Sequence, residues 1–197
     1  MGKNSSTTHS PSKRKMKAFQ EKFVEIATIL EKGEYEKLSE ISLDVPDTFN
    51  WVRDVFEPLV VEAHGSRTML EIVTDHALET KWVTYKQGLE KCNQLLRYLR
   101  SQGVQQGDSV FIMCGLHEGL WISYLSAIKG GLILIPAASI LRADDIVYRF
   151  QKAKPKVIIT DLDNAGKMEE ALQKYEIPVS VKLILDGERD GWIIPMF

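Results

Sequence analysis

The feature that most constrains this chain is a set of short apolar runs that fail to alternate. Between Asp108 and Leu185 stand "SVFIMC", "LILIP", "KVIIT" and "VKLIL". A strand with one wet face alternates apolar and polar side chains, whereas strands covered on both faces read as near-continuous Val, Ile and Leu. Among them lie "HEGLWISYLSAIKGG", "RADDIVYRFQKAK" and "NAGKMEEALQKY", which carry apolar residues at helical spacing. From residue 108 the order is therefore β-α-β-α-β-α-β. That order predicts an α/β fold: a parallel sheet flanked by helices, with right-handed crossovers.

Helices precede this region. "AFQEKFVEIATILEKG" sets Phe19, Phe23, Ile26, Ile29 and Leu30 on one stripe and stops at Gly33, an amphipathic helix with a glycine C-cap. "EYEKLSEIS" predicts a second, short helix. "VPDTFNWVRDVFEPLVVEAHG" predicts a third, capped by Asp47 or Thr48, with Phe49, Val52, Phe56 and Val60 inward and a bend or break at Pro58. After Gly65, "TMLEIVTD" and "KWVTY" predict a pair of strands. Thr84 then caps a helix that turns Leu89, Cys92, Leu95, Leu96 and Leu99 inward and stops at Gly103.

Charge divides the chain more sharply than its net value of −2 implies. Lys3, Lys13, Arg14, Lys15 and Lys17 all precede the first acid, Glu21, which leaves 20 bases against 27 acids in the rest. Residues 1–17 hold almost nothing that can be buried and read as a disordered basic tail, with a single domain over 18–197. "MGKNSS" fits the myristoylation pattern, but a solvated tail is the reading preferred. The overall charge points to neither nucleic acid nor an anionic surface. No stretch has the length of a membrane span, and Cys92 and Cys114 match no metal spacing, so the chain reads as cytoplasmic with free thiols.

Isolated chemistry is sparse. The sequence holds no Gly-x-Gly-x-x-Gly after a strand and no Gly-x-x-x-x-Gly-Lys-Ser/Thr. Its histidines, at 9, 64, 76 and 117, form no pair at ligand spacing, so no metal site is expected. Gly130-Gly131 reads as a helix end. His117, Glu118 and Trp121 read as a helix start with its aromatic packed inward. Asp144 and Asp145 read as a helix N-terminus, with Arg142 and Arg149 spaced to pair with them. No catalytic residue is assigned.

The residues from Trp82 to Asp161, taken as a run, resemble the N-terminal part of the adenylate-forming enzymes, and most of all their medium-chain and branched-chain acyl-CoA synthetases. Trp82-Val83-Thr84-Tyr85 is similar to that family's first core motif, and Gly107-Asp108-Ser109-Val110 to its Gly-Asp-x-Val turn. Ala127 to Gly131, continuing to Ile135-Pro136, is similar to its second core motif. "DIVYRFQKAKPKVIITD", "DGW" at Asp190–Trp192 and the upstream "FNWVRDV" extend the resemblance over Phe49 to Phe197.

The resemblance implies the N-terminal subdomain of the adenylate-forming fold, in an AMP-forming acid–CoA ligase. Such enzymes use ATP and Mg²⁺ to convert a carboxylic acid to an acyl-adenylate, then pass the acyl group to CoA. It also implies a Ser/Thr/Gly-rich phosphate loop ending in Lys and a Lys on a mobile C-terminal domain, neither of which stands in "DGWIIPMF" or before it. The chain alone is therefore expected to be an inactive N-terminal fragment, with a complementary C-terminal chain as a possible partner. A non-catalytic α/β binding module derived from the same fold is the alternative. The loop from Pro136 to Arg142 aligns with the family's acyl and pantetheine tunnel. By that resemblance Ile140 stands where CoA is contacted, and Ser139 and Arg142 are tunnel-wall residues.

Overall fold

Strand order organises the region from residue 108. In the computed structural model, which describes residues 11–73, 80–176 and 178–195, four parallel strands form one sheet in the order β4-β3-β5-β6. They are β3 (Ser109–Met113), β4 (Ile133–Pro136), β5 (Val157–Thr160) and β6 (Val181–Ile184). The intervening helices are α4 (Glu118–Gly130), α5 (Ala143–Ala153) and α6 (Leu162–Lys174). Each expected strand and helix of this region is present, and the sheet is parallel, as the missing alternation predicts.

Register explains that missing alternation. Leu134, Val110, Val157 and Val181 lie side by side across the four strands. Their face, with Ile112, Ile159 and Leu183, packs against Leu95 and Leu99 of α3 (Tyr85–Ser101) and Ile122 of α4. The opposite face, carrying Phe111, Met113, Ile158 and Ile184, packs against Ile146 and Phe150 of α5 and Met168 of α6. Phe111 meets Phe150 edge-on at 4.9 Å between ring centres. The central strands β3 and β5 are thus covered on both faces, so an unpartnered polar residue there would be desolvated, while the edge strand β4 is part exposed. Pro136 closes the edge strand β4, where a missing N–H leaves no ladder bond unmade.

The antiparallel pair β1 (Thr68–Val73) and β2 (Thr80–Thr84) precedes α3. Thr84 caps α3 as expected: its hydroxyl accepts from Gln87 N–H, and the Gln87 side chain accepts from Thr84 N–H, a reciprocal capping box. Gly131 ends α4 in the left-handed region at φ 64°, which bears out helix termination at Gly130-Gly131. Beyond β6, Ile193 bridges Leu183 in parallel, and Trp192 is buried with its indole N–H donated to Glu169 at 3.1 Å. Met196 and Phe197 lie outside the described residues.

The chain divides into two compact units, the first up to Ala63 and the second from His64. In the first, α1 (Pro11–Lys32) starts within the expected tail, so the tail's last seven residues, 11–17, are helical. Their carbonyls bond onward into the helix and Lys15 reaches Asp44 at 3.2 Å, which is what sequence composition alone does not register. The rest of the expected tail, "MGKNSS" included, lies outside the described residues. The second short helix is a 3-10 segment, Tyr35–Glu40.

The third helix differs from expectation at its cap, and it continues through Pro58 without a break. Its cap is neither Asp47 nor Thr48 but Asn50, whose side chain accepts from Arg53 N–H at 3.1 Å while Asp54 accepts from Asn50 N–H at 2.7 Å. Burial begins at Val52, so the first satisfied turn forms there, beyond the two exposed candidates. Pro58 neither breaks nor ends the helix; Val52–Val61 is wound as a π-helix and runs into a final α turn, α2 (Glu62–His64). The wider winding relieves the crowding of the proline ring against the preceding turn.

Candidate functional site

Parallel α/β sheets bind ligands at the C-terminal edges of their strands, at the point where successive connections leave in opposite directions. Here that point lies between β3 and β5, because β3 hands over to β4 on one side and β5 to β6 on the other. Three connections meet at this edge: Cys114–His117 after β3, Ala137–Arg142 after β4 and Asp161 after β5.

Two carboxylates stand at this edge: Asp186 accepts from Leu162 N–H at 2.6 Å, and Asp161 joins the loops. Asp161 is buried; one oxygen accepts from Gly115 N–H at 2.6 Å, and the other from Asn164 N–H at 3.0 Å and the Asn164 side-chain amide at 2.6 Å. The Asn164 amide also donates to Ser139 Oγ at 3.2 Å, and Lys167 donates to the Ser139 carbonyl. Beneath, Thr160 donates its hydroxyl to the Met113 carbonyl at 2.8 Å. A carboxylate so occupied is a structural acceptor rather than a free base.

Cys114 sits beside it. Burial, followed by the charges of Asp161 and Asp186, pushes its thiol up to about 12, so it is no nucleophile at neutral pH. His117 caps α4, its Nδ1 accepting from Gly119 N–H at 2.9 Å. Glu118 is only 4% exposed and ion-paired to Lys81 and Lys91. Trp121 points outward at 45% exposure, contrary to the inward packing expected of it, because Ile122 and Ala127 take the buried face of α4. Of the other histidines, His64 is exposed, and His9 and His76 lie outside the described residues. Among the described residues, no group of three or more His, Cys, Asp or Glu is placed to hold a metal ion.

The residues singled out from sequence divide between anchor and open surface. Ser139 is anchored to α6, as above. Ile140, next to it, is 88% exposed, and Arg142 precedes α5. Ile140, Arg142, Asp144, Lys167 and Glu170 line an open cleft of 400 Å³. Its acids are compensated, since Lys174 bonds both Asp144 at 3.0 Å and Glu170 at 3.1 Å. The expected pairing of Arg142 and Arg149 with the two aspartates is not what forms. Asp145 accepts from Arg142 N–H at 3.1 Å, and Arg149 donates to the Asp145 carbonyl at 2.9 Å, because the free helix amide and the local carbonyl are closer than a side-chain ion pair.

Sequence reading missed Gly115, Asp161, Asn164 and Lys167. Asp161 carried one local signal, an Asp directly after a strand with Asn three residues later, the spacing of a helix cap. A second cleft, of 470 Å³, lies in the first unit beside Arg14, Phe19 and Ser42. Lys15 there already pairs with Asp44 and Asp47, and Lys22 with Glu25, which leaves little charge for a ligand.

A doubly wound α/β sheet, with its loops tied at the C-terminal edge and an open cleft beside them, defines the class of the second unit. Residues 60–194 match the family model described as AMP-binding enzyme, and the chain belongs to that family. It is 38% identical over 144 residues to 4-hydroxybutyrate–CoA ligase 1 of Metallosphaera sedula, covering 73% of this chain and 25% of the relative. A mitochondrial acyl-coenzyme A synthetase of Homo sapiens is 29% identical over 162 residues, covering 76% of this chain and 27% of the relative. The chain thus spans about a quarter of the length of these relatives. Its fold is also similar to part of an anthranilate CoA ligase solved with anthranoyl-AMP, with a TM-score of 0.63 at 19% identity, covering 72% of this chain and 26% of that one.

Proposed function

We propose that this chain supplies the N-terminal subdomain, over 18–197, of an ATP-dependent acyl-CoA synthetase. The complete enzyme would convert a carboxylic acid, ATP and CoA to acyl-CoA, AMP and pyrophosphate in the cytoplasm. The observation that carries this reading is the 38% identity to a CoA ligase over 144 residues, 73% of this chain. In it, the chain's part is to bind and orient rather than to make or break bonds. Asp161 is engaged by three donors at the loops, and Cys114 is held protonated.

The cleft at Ile140 fits one wall of the channel for CoA. Ile140 offers an exposed apolar surface to the arm that carries the thiol, Arg142 lines the same cleft, and Ser139 adjoins Ile140 in the chain. ATP and Mg²⁺ would be held by the remainder of the enzyme, in the same polypeptide or in a complementary chain.

Two measurements test this. With ATP, Mg²⁺, CoA and short- or branched-chain acids, the 197-residue chain alone is expected to release no pyrophosphate; release would refute its inactivity. A chimera in which this chain replaces the matched quarter of the Metallosphaera ligase is expected to release pyrophosphate and form acyl-CoA. A folded chimera that does neither would overturn the assignment and favour a non-catalytic module.

A further inference from the structure

We propose that Asp161 and Asn164 are positioning residues, which lock the loop after β4 to the loop after β3 so that the two move as one. The loop Ala137–Arg142 has few anchors of its own. Ala137 N–H donates to the Ile112 carbonyl at 2.8 Å where the loop starts, and Leu141 N–H donates to the Ala138 carbonyl at 3.1 Å. Between these, Ser139 and Ile140 are exposed, and it is α6 that fixes Ser139, by its hydroxyl through Asn164 and by its carbonyl through Lys167.

Asn164 is in turn not free to turn. Its amide nitrogen is shared between Ser139 Oγ and Asp161, and its N–H is held by the same carboxylate oxygen. The second oxygen of Asp161 holds Gly115, 46 positions away in sequence, at 2.6 Å. One buried carboxylate therefore connects the ends of β3 and β5, and through one side-chain amide it reaches the loop of β4. Buried networks of this kind stand or fall together, because each member fixes the orientation of the next. An amide in place of the carboxylate would aim a donor at either Gly115 N–H or Asn164, and both are donors already. The cap that Asp161 gives α6 explains its bond to Asn164 N–H; it does not explain the bonds to Gly115 and, through Asn164, to Ser139.

Amide hydrogen exchange of the 197-residue chain tests the coupling. Asp161→Asn is expected to speed exchange roughly tenfold at Gly115 and also at Leu141, which Asp161 does not touch, the size expected for loss of one to two hydrogen bonds. A purely local helix cap would move Gly115 and Asn164 and leave Leu141 as it is; that result would overturn the proposal. Ser139→Ala is a change at an exposed residue that leaves the folded core alone. It is expected to speed Leu141 and leave Gly115 unchanged, and an unaltered Leu141 rate would equally overturn the proposal.

The consequence for CoA rests on the function proposed above and is read separately. In the active chimera, Asn164→Ala is expected to raise the KM for CoA about tenfold against an unaltered KM for ATP, as loss of the Ser139 anchor requires. Faster Leu141 exchange with an unaltered KM for CoA would refute the tunnel-wall reading and leave the coupling standing.

Discussion

Gly119 shows how closely the start of α4 approaches the end of β6. A Cβ added there would lie 2.6 Å from Leu185 Cδ2 and 3.0 Å from His117 Nδ1. Alanine would gain up to about 1 kcal/mol of helix propensity. Overpacking against a buried leucine costs about 1–3 kcal/mol, so the net effect of Gly119→Ala is destabilising. A lower urea midpoint is the expected result, and an unchanged or raised one would contradict the packing. One residue earlier, burial acts most strongly on the Glu118 carboxyl and raises its pKa, but Lys81 and Lys91 together outweigh it and hold it below 4.5. Asp108 is lowered too, by Gln105 N–H and then Lys156. Both groups are more acidic folded than unfolded. The stability they contribute is fully present above about pH 5 and lost as pH falls through the folded values. Unfolding free energy should therefore fall with acidification below about pH 4.5, and Glu118→Gln should flatten that fall.

Helix starts differ in how plainly they can be read. Thr84 was legible because a hydroxyl and a Gln three residues on make a capping box without help from the rest of the fold. Thr84→Ala should cost about 1 kcal/mol. That corresponds to a melting temperature lower by about 2–4 °C for a chain of this size. Asn50 was not legible, since Asp47, Thr48 and Asn50 are all good caps and only the onset of burial at Val52 chooses among them. The π-winding around Pro58 is a tertiary choice as well. Trp121 was misread for a related reason: an amphipathic pattern says that one face is buried, but α4 is apolar nearly all round and does not say which.

At the scale of the molecule, alternation of strand and helix made the fold class readable, while strand order was not. Right-handed crossovers fix the hand of each connection but not which neighbour β5 joins, and that decision creates the edge where Gly115 and Asp161 meet. Ser139, Ile140 and Arg142 were marked by resemblance alone; Asp161 carried the signal of a helix cap, but its bond to Gly115, 46 positions away, has no spacing that a linear reading can find. The same edge makes Cys114 a built-in clock for the second unit. With its thiol pushed up to about 12, Cys114 carries almost no thiolate at neutral pH while the edge stays closed. Reaction with a maleimide then reports openings, and Cys92, fully buried in α3, provides the comparison. If the unit opens as a whole, the two thiols are modified at one common rate. Faster modification of Cys114 is the expected result, and it would time how often the loops at the sheet's end part company without the core coming undone.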